Sequence, residues 1–146
     1  MLYAAGVYTA HMTEEDLQLT ARRLSSLCDD LILAWEEREA VTGRLRKVQR
    51  EGPPAPPQPQ PIEDFTVLAR HARERKRHAK HLMETTTAKE EADIAYATAA
   101  AALVAELVPE DISGEHTYLS VAHTYPDGST YIIDIRPDSA SVRRQE

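Results

Sequence analysis

Six prolines crowd the ten residues Gly52–Pro61, GPPAPPQPQP, and no helix can cross them. Each proline removes a backbone donor and its ring clashes with the preceding turn. The stretch reads as extended polyproline II, reaching about 30 Å at ~3.1 Å per residue. Packed helices lie about 8–10 Å apart, so the segment is long enough to let the chain fold back. PxxP spacing occurs at Pro53–Pro56, Pro54–Pro57 and Pro56–Pro59, but no Arg or Lys flanks it closely. The composition favours a spacer over a ligand for SH3 or WW domains.

Helical patterns flank this segment. Before it, residues 12–51 open with Thr13 as an N-cap and Asp16 placed to return the bond. Glu14, Glu15 and Asp16 suit the positive end of the helix dipole, and Arg44, Arg46, Lys47 and Arg50 suit its negative end. Gly52 is the stop. Leu17, Leu24, Leu31 and Leu45 form one apolar row at heptad spacing, broken at Arg38. Leu27, Ala34, Val41 and Val48 form the second row, and Cys28 and Trp35 widen the stripe. A seam this narrow calls for a long helical partner.

That partner is the second helix, 62–109, ended by Pro109. Its expected seam is Phe65, Leu68, Ala72, Ala79 and Leu82, continuing through Tyr96, Ala100, Leu103 and Leu107. The β-branched run Thr85–Thr87 is an expected weak point or break. A fold-back near residue 56 would bring Glu36, Glu37 and Glu39 opposite Arg73–Lys76. It would also bring Arg22 and Arg23 opposite Glu90 and Glu91, and Arg44–Arg50 near Glu63 and Asp64. Such exposed pairs contribute only ~0–1 kcal/mol each, so they would set register rather than stability.

After the helices, residues 110–137 read as a β-hairpin. Pro126-Asp127-Gly128 suits a type I turn with Gly128 in the left-handed region. Pairing Tyr125 with Ser129 sets Leu119, Val121 and His123 opposite Ile135, Ile133 and Tyr131, which gathers one apolar face. Two strands are seldom stable alone. The face Leu119, Val121, Tyr131, Ile133 and Ile135 is therefore a candidate partner interface, to be covered by a helix end, by residues 1–11 or by another chain. Residues 1–11 read as an N-terminal extension, with Met12 as a second start, or as a short strand. Residues 138–146 read as a flexible tail. The fold class is mainly α: a long antiparallel, coiled-coil-like helical hairpin with a C-terminal β-hairpin.

Composition narrows the function. The net charge of −7 disfavours indiscriminate binding to nucleic acid or anionic membrane. The single cysteine, Cys28, forbids an intramolecular disulfide and suits a reducing compartment. The most apolar run, 94–108, falls short of the ~20 residues of a spanning helix, so no membrane partner is expected. The N-terminus lacks the pattern of a signal peptide. The expected location is intracellular or within an assembled particle.

The strongest local signal is RHARERKRHAKH, Arg70–His81. Arg70, Arg73, Arg77 and Lys80 point away from the seam and could meet phosphates or an acidic partner. The plainer reading is a solvated, ion-paired face. Glu74, His78 and His81 share a flank at metal-ligand spacing, yet a site needs further ligands and the neighbouring cations would repel a metal ion. No catalytic residues and no cofactor are indicated. Cys28 lies in an apolar stripe without an adjacent base, and there is no glycine-rich phosphate loop. The reading that results is a non-enzymatic assembly or adaptor protein that oligomerises or docks into a larger complex, such as a viral particle or another multi-subunit machine. Nucleic-acid binding or regulation through the basic strip is the alternative, and a metal-dependent enzyme the weakest one.

Overall fold

The computed structural model describes residues 13–61 and 65–146. Two long helices, α1 (Glu14–Glu51) and α2 (Phe65–Leu107), precede three strands, β1 (Leu119–Thr124), β2 (Thr130–Ile135) and β3 (Ala140–Gln145). The fold is a helical hairpin followed by a three-stranded antiparallel sheet of order β1-β2-β3. Residues 1–11, read above as an extension or strand, and Glu63 and Asp64 lie outside the described residues.

Local chemistry sets the helix ends as the sequence implies. The Asp16 amide donates to Thr13 Oγ1 at 3.1 Å and the Thr13 amide to Asp16 Oδ2 at 3.2 Å, a reciprocal capping box. At the other end the Gly52 amide donates to the Val48 carbonyl at 3.1 Å with φ +65°, a conformation that glycine adopts without strain. The threonine run does not break α2. Thr85 is buried and its hydroxyl donates to the His81 carbonyl at 2.8 Å, which satisfies it inside the helix.

Two compact units make up the chain, one from the stretch up to Leu33 with Ala97–Glu146, the other from Ala34–Tyr96. In the first, Arg23 pairs with Glu106 at 3.2 Å. In the second, the Arg38 guanidinium lies 4.2 Å from the centroid of the Tyr96 ring and 4.0 Å from Asp93. The ion-paired residue numbers sum to 129 and 131, so the helices run antiparallel in a register near 130. This corrects the register near 112 expected from charge. The acidic block Glu36–Glu39 does not meet Arg73–Lys76; Glu37 pairs instead with Arg44 of its own helix, at 3.6 Å.

Apolar packing explains the outcome. A register of 112 would set Leu31 level with His81 and Val41 with His71. The observed one brings Leu31 level with Ala99 and Ala100, and Leu31 and Leu103 are fully buried. Burying one leucine contributes roughly 1.5–3 kcal/mol, several times an exposed ion pair. The α2 seam moves accordingly. Thr85, Ala92, Ala100 and Leu103 are buried, whereas Phe65, Leu68, Ala72 and Ala79 are exposed. On α1, Leu17 is also exposed, while Val41 and Val48 are buried.

The sheet adopts the expected β1–β2 register, Leu119↔Ile135, Val121↔Ile133 and His123↔Tyr131. The Tyr125 amide donates to the Ser129 carbonyl at 2.9 Å, and Gly128 takes φ +91°. The segment 138–146, read as a flexible tail, is instead the third strand. Arg136 and Ser139 close a tight turn through their backbones, and Ile133 pairs with Val142 and Ile135 with Ala140. Ala140 and Val142 are buried beside Ile133 and Ile135. Asp29 of α1 accepts a hydrogen bond from Tyr125 Oη at 3.0 Å and lies 3.0 Å from His123 Nε2, fastening the sheet to that helix.

Ile133 is 0% exposed at the centre of this face. Ile133→Ala is expected to lower the unfolding free energy by about 2–5 kcal/mol, read from denaturant titration. A loss below ~1 kcal/mol would mean that the face is not packed as described.

Candidate interaction surfaces

The register governs what α2 exposes. α1 ends at Glu51, which lies level with about residue 79 of α2, so the N-terminal turns of α2 extend beyond it. Pro54, Pro57 and Gln60 are half-buried at the three-residue period of polyproline II, and Val67, His71 and His78 are half-buried on the seam side of α2. Pro54 and Pro57 are thus partly covered.

The basic strip lies on this extension. Arg70, Arg73, Arg77 and Lys80 are all exposed. Lys80 lies 3.9 Å from Glu84 one turn on, and among the described residues Arg70, Arg73 and Arg77 make no ion pair. They follow one another at intervals of three and four, a ridge about 15 Å long. The expected neutralisation by Glu36, Glu37 and Glu39 is lost with the change of register, so the strip carries more free charge than the sequence implied.

The metal-ligand pattern does not assemble. Glu74 and His81 are exposed, His78 is half-buried, and among the described residues no group of three or more His, Cys, Asp or Glu side chains converges to hold a metal ion. One helix supplies all three, and its neighbours Arg77 and Lys80 are cations.

The partner-interface candidates divide. Tyr131, Ile133 and Ile135 are buried within the chain, so they are not available to a partner. Val121 is half-buried, and Leu119 keeps 39% exposure at the β1 edge. The outer face of the sheet is polar. Asp134 accepts from Ser120 Oγ at 2.7 Å and from Arg143 Nε at 3.2 Å, and these bonds, Ser120 first, hold its carboxyl below the usual range.

Sequence reasoning did not anticipate the Asp29–His123–Tyr125 cluster. His123 and Tyr125 stack edge to face at 4.7 Å, and both meet Asp29 from a position 94 or more residues away in the chain. No local motif signals a contact of that separation. It resembles the orienting half of a catalytic triad only in part. His123 Nε2 is taken up by Asp29, and among the described residues no nucleophile is bonded to the ring. Cys28 is buried, and burial first and the Asp29 charge second push its thiol above the ordinary value, which suits an inert core thiol.

A different surface emerges on α2. Phe65, Leu68, Met83 and Ile94 are exposed by 58, 41, 69 and 67%, and Ala72 and Ala79 join them on one side of the helix, turned away from the buried seam. Phe65, Leu68, Ala72 and Ala79 were expected to form the seam itself. They form a second stripe. Among the described residues no helix is long and apolar enough to cross a membrane. Comparison with protein-family models, curated proteins and solved structures yields no match.

Two outcomes test these environments. The Cys28 thiol is expected to react with a thiol reagent only at the rate of unfolding, so labelling should accelerate with denaturant; rapid labelling of the native protein would contradict its burial. Asp134 has a lowered carboxyl pKa, so its contribution is present above the unfolded value near 3.9 and lost as pH falls through the lower folded value. The stability gap between the wild type and Asp134→Asn is therefore expected to be full at pH 6 and to shrink below about pH 4, measured by thermal melts across pH.

Proposed function

We propose that this chain is a non-enzymatic assembly or adaptor protein, working inside the cell or within an assembled particle such as a virion or another multi-subunit machine. The observation that supports this most is the exposed stripe of Phe65, Leu68, Met83 and Ile94 along α2. Single exposed apolar residues are ordinary, but large ones repeated along one side of a helix are characteristic of docking surfaces. The sheet cannot be that surface over most of its apolar face, because Tyr131, Ile133 and Ile135 are already buried.

Mass in solution tests it, measured by light scattering at low and at high salt. The expected result is an oligomer that survives high salt, since apolar contacts do not depend on screening. Met83→Glu with Ile94→Glu should reduce the mass to one chain while leaving the thermal melt cooperative. A wild-type monomer with a cooperative melt would overturn the proposal.

Arg70, Arg73 and Arg77, which make no ion pair among the described residues, support a second reading, contact with nucleic acid through Arg70, Arg73, Arg77 and Lys80. It predicts affinity that falls steeply with salt, and falls further in Arg73→Glu with Arg77→Glu. Binding that ignores both changes would exclude it.

A further inference from the structure

We infer that the outer stripe of α2 receives α1 of a second copy, antiparallel and in the register that the charge pattern specifies. This inference rests on the assembly reading and names its partner. Away from its own seam, α1 carries an exposed row at intervals of three and four: Leu33, Glu36, Ala40, Arg44 and Lys47, with Glu37 beside Glu36. The α2 row has matching intervals: Ala79, Lys76, Ala72, Leu68 and Phe65.

Laid antiparallel, the two rows coincide. Ala40 comes level with Ala72, where two small side chains let the helices approach closely. Leu33 comes level with Ala79 and within one turn of Met83. Lys76 falls against Glu36 and Glu37, and among the described residues it makes no ion pair with its own α1. The stems of Arg44 and Lys47 lie over Leu68 and Phe65, covering apolar surface while keeping their charges in water.

These groups cannot meet within one chain. The seam register near 130 is offset from this one by about 18 residues, or ~27 Å at 1.5 Å per residue. The complementarity written into the two helices is therefore spent between copies.

The geometry also sets the mode of assembly. A two-fold axis along the hairpin would hold the two copies level, and a two-fold axis across it would set α1 of one copy parallel to α2 of the other. Neither allows an antiparallel contact offset by ~27 Å from the seam register. One copy therefore cannot use the same surface patch twice in a two-fold dimer. Copies add head to tail, each shifted by ~27 Å, and such a contact continues until it closes a ring or ends as an open array.

Cysteine cross-linking tests the register directly. Ala40→Cys and Ala72→Cys are both at exposed alanines, and the buried native Cys28 serves as the unlinked control. Under copper-phenanthroline oxidation, a mixture of the two single variants is expected to form the mixed disulfide, and neither variant alone should dimerise. A chain carrying both cysteines should give a ladder of linked multimers. Lys76→Glu on the Ala72→Cys chain should reduce the mixed product at least tenfold. Glu36→Lys with Glu37→Lys on the other chain should restore it. An oligomer of unchanged mass without the mixed disulfide overturns this interface and leaves the assembly reading standing. A loss that the reciprocal charge change does not restore overturns it likewise. A wild-type monomer overturns both.

Discussion

Arg38 occupies a position in the α1 seam where a leucine or valine would be ordinary, and the register of the helices depends on how it is accommodated. Its guanidinium lies on the face of Tyr96 and beside Asp93, so the charge is retained without burying an unpaired cation. A flat cation of this kind fits only where an aromatic face and a carboxylate come within reach together. That condition is met with Arg38 level with Asp93, and the Arg23–Glu106 pair has the same alignment in the unit where Leu31 and Leu103 are buried. Aromatic contact and apolar burial thus select the same alignment.

The consequences reach both ends of the pair. Shifting the helices from the charge-matched register lifts the first turns of α2 beyond the end of α1. The proline-rich segment has one edge half-buried every third residue, at Pro54, Pro57 and Gln60. The arginines of the basic strip lose the acidic neighbours that the sequence offered them. The apolar residues Phe65, Leu68, Met83 and Ile94 come to lie outside the seam. A single alignment thus decides which side chains are buried and which stay exposed.

The sheet follows a simpler logic. A two-stranded hairpin with one apolar face has too little burial to persist alone, and this chain solves the problem twice. β3 pairs along β2 and places Ala140 and Val142 beside the isoleucines. Asp29 then ties the face to α1 through His123 and Tyr125. An apolar surface that could have served a partner is thereby consumed within the chain.

Much of this was legible in the sequence, where the determining interactions are local. The capping box at Thr13, the glycine stop at Gly52, the heptad rows of α1 and the Pro126-Asp127-Gly128 turn each depend on residues a few positions apart. The period-two alternation of Leu119, Val121 and His123 against Ile135, Ile133 and Tyr131 fixed the hairpin register for the same reason. The strand β3 was harder to see, because ASVRRQ offers only two small apolar residues and four polar ones, and pairing with β2 supplies what propensity lacks. The helix register, the Asp29 cluster and the second stripe of α2 were not decided locally. Charge and apolar patterns favoured different alignments, and only three-dimensional packing, in which burial of Leu31 and Leu103 outweighs several exposed ion pairs, could choose between them.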